Sequence, residues 1–231
     1  MGNAVIRTGQ AYAALGCSYA CYRVYTSQEH FNTVVGYVRP LWVRVYGESS
    51  STLSAKRRDL EAIDQMEVLE LWADCGQLFT HYPETIDLWH GVEPNPNLHP
   101  TIEDEALKVG IPRSTLEITP EDPIEYLKRA GDATTDSVVS SRYLDEISEC
   151  DVLLREAYRV IKPGGSIVAW YRTGSRNKCS IESYSKFLEE VGFTGVEVEQ
   201  NSNSMSSLVG RKSRGLSHMS FFFPGAATKI S

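Results

Sequence analysis

Residues Asp151 to Trp170, DVLLREAYRVIKPGGSIVAW, read as an amphipathic helix, a stop and an apolar strand in immediate succession. Val152, Leu153, Ala157, Val160 and Ile161 recur at helical spacing. Pro163, Gly164 and Gly165 then supply a helix breaker and a left-handed turn. The apolar run Ser166–Arg172 is the strand that follows.

Working outward, strand and helix alternate from Glu67 onward, the pattern of an α/β fold with helices on both faces of a sheet. Strands are expected at Glu67–Trp72, in IDLWHGVE ending at Glu93, at Ser114–Thr119, at Asp136–Ser141 and at Ser166–Arg172. The turn PNPNLHP after Glu93 cannot continue a strand, because each proline lacks a donor and fixes φ. A helix over IESYSKFLEEVGF, the strand GVEVEQ, a serine-rich loop Asn201–Ser207 and a last strand SHMSFFFP complete the order.

The chain of 231 residues is 42% hydrophobic, enough for one sizeable core. It reads as a single domain, with an aromatic-rich helical cap over 1–66 and an α/β core over 67–231. Tyr12, Tyr19, Tyr22, Tyr25, Tyr37, Trp42 and Tyr46 crowd the cap, and aromatic bodies with polar tips suit an apolar ligand carrying a few oxygens. The linker SSSTLS leads into a polar helix over about 55–65. A net charge of −7 argues against a nucleic-acid partner. Five scattered cysteines, with Cys17 and Cys21 four apart, describe neither a disulfide framework nor a metal site. No apolar run is long enough for a membrane span. The expectation is a cytoplasmic protein with a small-molecule substrate and no metal; the oligomeric state is open.

Three motifs sharpen this reading. VLELWADCGQLF spans the first strand and the turn after it, HGVEPNP ends the second strand, and RVIKPGG precedes the fifth. Together they resemble the class I S-adenosylmethionine (SAM) methyltransferases, whose first strand runs into an ExGxGxG loop and whose second ends on an acid. The HGVEPNP run is similar to the GxEPNP form of small-molecule and thiol methyltransferases. The resemblance implies a Rossmann-like, seven-stranded mixed sheet with helices on both faces and an antiparallel last strand. It aligns Glu70 with the leading acid, Trp72, Asp74 and Gly76 with the three glycines, and Glu93 with the acid that holds the ribose hydroxyls.

The glycine loop departs from that family. Glycines serve there because some positions need positive φ and because the backbone must approach the ligand with no β-carbon between. Tryptophan at 72 either projects into the space that the methionine part or the ribose would need, or turns inward as core and leaves a distorted but usable loop. Asp74 is the milder change, since aspartate tolerates left-handed angles. A dinucleotide would bring two phosphates against Asp74, so NAD and FAD are poor candidates.

Further candidates lie where strands four and five end. Arg142 and Tyr143, with Tyr171 and Arg172, would stand at the carboxyl edge of the sheet, the ligand edge of open α/β folds. An arginine there could grip a carboxylate or donate to a carbonyl. The expected catalytic residues are therefore Arg142, Tyr143, Arg172 and Tyr171. The expected substrate contacts are Trp72, Asp74, Tyr19, Tyr22, Trp42, His81 and His218. Gly76, Glu93 and Asp122 would be cofactor contacts if SAM is retained.

Natural-product cyclases built on this fold supply the leading functional reading. It is a cofactor-independent intramolecular cyclisation, including pericyclic Diels–Alder closure, which needs a folded substrate and a donor to a carbonyl. The alternatives are a SAM-dependent O- or S-methyltransferase for small molecules, and a noncatalytic scaffold on the same fold.

Overall fold

The computed structural model describes residues 28–46, 50–61, 67–82, 86–144, 147, 149–171, 181–202 and 205–214. In chain order these form α1 (Gln28–Tyr46), α2 (Ser50–Glu61), β1 (Glu67–Leu71), β2 (Leu88–Val92), α3 (His99–Lys108), β3 (Leu116–Thr119), α4 (Pro123–Arg129), β4 (Thr135–Tyr143), α5 (Cys150–Val160), β5 (Ile161–Tyr171), α6 (Ile181–Val191), β6 (Phe193–Ser202) and β7 (Met205–Lys212). The strands make one seven-stranded sheet in the order β3-β2-β1-β4-β5-β7-β6. β1 to β5 run parallel, and β7 lies antiparallel between β5 and β6. This is the mixed sheet that the resemblance implies.

The alternation of side chains along each strand divides the core in two. On one face Leu69, Leu71, Val138, Ile167, Ala169 and Leu208 meet Ile124 and Leu127 of α4, Leu153, Leu154 and Ala157 of α5, and Leu188 of α6. On the other, Val68, Trp89, Val139, Val168 and Trp170 meet Ala55 and Leu60 of α2 and Ile102 and Ala106 of α3. The helix expected from the Asp151 run is α5, whose fully buried Leu153, Leu154, Ala157 and Val160 form its apolar stripe.

Two boundaries differ from the sequence reading, each for a physical reason. β5 starts at Ile161 and carries Pro163, Gly164 and Gly165 inside it, as a bulge between the pairs Thr135↔Ile161 and Ser137↔Ser166. Gly164 has φ of 91°. Residues Met205–Lys212, partly assigned to a serine-rich loop, are the central antiparallel strand. Ser206 and Ser207 are buried there, and the Ser207 side chain hydrogen-bonds Asp59 of α2, so a polar run is hidden in the core. The expected strand SHMSFFFP lies outside the described residues.

A β-carbon at Gly165 would stand 2.2 Å from the Asp136 carbonyl oxygen. Backbone in the centre of the sheet cannot yield as a side chain can. Gly165→Ala is therefore expected to cost about 2–3 kcal/mol of stability by overpacking, checked by urea unfolding; an unchanged midpoint would remove the bulge from the account.

Candidate functional site

The loop after β1 keeps the shape of a glycine turn with only the last of its three glycines. Trp72, Asp74 and Gly76 all have positive φ, at 54°, 52° and 70°. These are the three positions that align with the ExGxGxG glycines. The turn is pinned to β2, because the Trp72 N–H donates to the Val92 carbonyl at 2.8 Å and the Asp74 N–H donates to Glu93 Oε2 at 2.9 Å. Gly76 is needed for room as well as φ, since a β-carbon there would lie 2.6 Å from the Phe79 ring. The chain then makes a single 3-10 turn, Phe79–His81.

Trp72 is 9% exposed and belongs to the apolar cluster beneath α4, α5 and α6. That cluster reaches the carboxyl edge of the sheet, where it includes Val92, Leu144 and Tyr171. Tyr171 is buried with its ring 5.4 Å from that of Tyr184 of α6, so it packs as core at the end of β5.

Glu93 is buried, and backbone donors meet both of its oxygens. Asp74 N–H reaches Oε2, and Asn95 N–H reaches Oε1 at 2.9 Å. His99 Nε2 lies 2.9 Å from the Glu93 carbonyl oxygen. The EPNP loop is thus folded onto its own acid and tied to the β1 loop.

Above both loops lies α1. Arg39 Nε donates to Asp74 Oδ1 at 3.0 Å and to Oδ2 at 2.8 Å, and Nη2 donates to Oδ2 as well. Gln77 Nε2 adds a donor to Asp74 at 3.2 Å. Asn95 Nδ2 donates to the Asn32 carbonyl at 2.9 Å. Sequence reasoning missed Arg39 entirely; an aspartate in a glycine's place is the signal that could have prompted a search for a cation.

Under the same loop, Glu70 is 1% exposed. Tyr82 Oη donates to its Oε2 at 2.6 Å and Trp89 Nε1 at 3.0 Å, while the Ser141 hydroxyl bonds Oε1. Burial pushes the Glu70 carboxyl up to about 7, against the bonds from Ser141, Tyr82 and Trp89 and the charge of Lys56. The neighbouring Cys75 is buried and its thiol is pushed up by burial and by Asp74, which makes it a poor nucleophile.

The other expected residues divide by place. Trp42 is on α1 and 43% exposed. His81 closes the 3-10 turn. Asp122 caps α4, accepting from the N–H groups of Ile124 and Glu125 at 2.9 and 3.3 Å. The backbone of Arg142 and Tyr143 ends β4, with Tyr143 registered on Trp170 across an irregularity after Ser140. Tyr19, Tyr22, Arg172 and His218 lie outside the described residues. Among the described residues no cluster of His, Cys, Asp and Glu could hold a metal, and no helix is long and apolar enough to cross a membrane.

Comparison with known proteins places this architecture. A methyltransferase-domain family model matches residues 75–169. The [4+2]-cyclase SpnF superposes with a TM-score of 0.63 at 14% identity, over 82% of this chain and 98% of that one. A SAM-dependent methyltransferase from Archaeoglobus fulgidus gives 0.58 at 17% identity, over 76% and 100%. Phosphoethanolamine N-methyltransferase 2 of Haemonchus contortus, in complex with S-adenosyl-L-methionine, gives 0.61 at 12% identity, over 83% and 60%. No curated protein sequence matches. The chain is a methyltransferase-fold protein of class I.

Glu70 yields a pH prediction with a definite sign. Its carboxyl binds a proton more tightly in the fold, near 7, than at the ordinary value of 4.5. The stability this group contributes is full below about pH 4.5 and is lost as pH rises through 7, on the order of 3 kcal/mol in all. Glu70→Gln carries no such titration. Urea unfolding at pH 5 and pH 8 should show the variant gaining on the parent protein by about that amount at the higher pH; parallel pH profiles would refute the burial argument.

Proposed function

We propose that this chain is an enzyme that uses the methyltransferase cleft without SAM, to fold a small, largely apolar substrate for intramolecular cyclisation. The observation that carries the reading is the internal use of the cofactor loop. The Asp74 carboxylate is held by Arg39, and both Glu93 oxygens are met by backbone N–H groups. On this reading the polar groups of the loop are engaged within the protein, and the site is a poor fit to SAM.

What remains suits a substrate with few charges. At the carboxyl edge β4 ends on Arg142 and Tyr143. We assign Arg142 and Tyr143, with Arg172 beyond β5, the task of donating to a substrate carbonyl that becomes more electron-rich as the new bond forms. Holding the reacting carbons close supplies the rest of the acceleration. The likeness to a [4+2]-cyclase is compatible with this chemistry. Tyr19, Tyr22, Trp42, His81 and His218 stand as the remaining proposed substrate contacts.

A second reading is favoured by one observation. The backbone at 72, 74 and 76 keeps left-handed angles, and Glu93 keeps its place at the end of β2. A SAM-dependent methyltransferase acting on a small oxygen or sulfur nucleophile would need both. Gly76, Glu93 and Asp122 would then be its cofactor contacts, and bound SAM would supply an electrophilic methyl group.

Isothermal calorimetry with SAM and with its demethylated product separates the two. No heat is expected from the parent protein; micromolar affinity of the parent protein would establish the second reading. Mass spectrometry of a candidate linear polyene after incubation should show an isomer of unchanged mass. A gain of one methyl group would end the cyclase proposal.

A further inference from the structure

We infer that Asp74 and Arg39 form a latch that closes α1 over the carboxyl edge of the sheet, so that α1 is the gate through which a ligand reaches this site. The aspartate that replaces a glycine of the cofactor loop has thereby gained a partner 35 residues away in sequence. The inference rests on the reading above only in taking this edge as the ligand site.

Contacts among the described residues join α1 to the two loops that surround the cofactor position. Arg39 grips Asp74 in the β1 loop through two nitrogens, the fork geometry that makes arginine–carboxylate pairs strong. Asn95 in the β2 loop donates to the Asn32 carbonyl. Gly36 lies so close to the same loop that a β-carbon on it would meet Asn97 Cβ at 2.4 Å. Asn32, Gly36 and Arg39 are spaced at helical intervals, so one face of α1 makes all three contacts.

On the opposite face Tyr37 and Leu41 are 75% and 60% exposed. Pro40, inside α1 and next to Arg39, has no N–H to give to the Gly36 carbonyl, four residues earlier. The turn that carries the latch is therefore the weakest in the helix, and a glycine and a proline frame it. The two latch side chains are partly open to water, at 42% for Arg39 and 18% for Asp74. Salt should loosen such a pair more than a buried one.

The latch is tested on the full chain by hydrogen exchange read peptide by peptide in the parent protein, Arg39→Gln, Asp74→Asn and the double variant. Each single variant should speed exchange over residues 28–46 roughly tenfold, with the peptides of β4 and β5 unchanged. The double variant should be no faster than either single one, as expected for two residues that act as one contact. Additive effects, or α1 exchange equal to that of the parent protein, would overturn the latch. If a variant loses protection throughout, salt decides instead. About 1 M sodium chloride should speed α1 exchange in the parent protein, and a flat response sinks the idea. The gate itself is read by exchange of the peptides over residues 72–78 and 93–98, the loops that α1 contacts. Arg39→Gln should speed it; opening of α1 with those loops unchanged would show that the helix does not guard this edge. SAM calorimetry plays no part here, so failure of the latch and failure of the proposed function are distinguishable.

Discussion

The left-handed backbone at residues 72 and 74 is the constraint on which the site depends, and hydrogen bonds to Val92 and Glu93 hold it there in the absence of glycine. A non-glycine residue in that region costs roughly 1–2 kcal/mol. For Trp72 the offsetting term is larger, since burying an indole of about 150–250 Å² at about 25 cal/mol per Å² gives about 4–6 kcal/mol as an upper estimate. Burial wins, and the ring becomes core. For Asp74 the cost is smaller to begin with, because aspartate visits these angles more readily, and a partly exposed arginine pair is enough to offset it.

The two faces of the sheet solve different problems. Beneath α4, α5 and α6 the contact is mainly apolar, which suits a face that chiefly buries area. Beneath α2 and α3 the core also holds Lys56, Asp59 and Glu70, all under one-tenth exposed. They survive there because each is partnered. Asp59 accepts from Trp170 Nε1 at 3.1 Å, Lys56 lies 4.9 Å from the centre of the Trp170 ring, and Glu70 gathers three donors from Tyr82, Trp89 and Ser141. Burial raises the Asp59 carboxyl as it does that of Glu70. A buried polar set of this kind fixes register, because a strand slipped by one residue would leave charges without partners.

The fold was legible in the sequence wherever local chemistry and burial agreed. The periodicity of Asp151–Ile161 and the apolar run after Gly165 point to α5 and β5 without help from distant residues, and the EPNP run marks the end of β2. Legibility failed where a distant partner reverses the local rule. Ser206 and Ser207 look like loop but are strand, since the core offers Asp59 to one of them. Pro163 and two glycines look like a stop but form a bulge, since β4 continues alongside. In the site, the sequence located the altered loop but not the direction of the indole, which is set by what lies under α4, α5 and α6. Arg39 was illegible for the same reason. Nothing in its neighbours says that an aspartate 35 positions on will face it.

These facts separate two signals that a sequence match combines. Whether the loop goes left-handed is decided by β1, β2 and Glu93, whose bonds are made by backbone groups and survive a change of side chain. What the loop can hold is decided by the side chains at 72 and 74, which no backbone bond protects. Structures at 12–17% identity can therefore superpose well on this chain while saying nothing of its chemistry. The loop's shape thus goes with the fold, whichever side chains stand at 72 and 74.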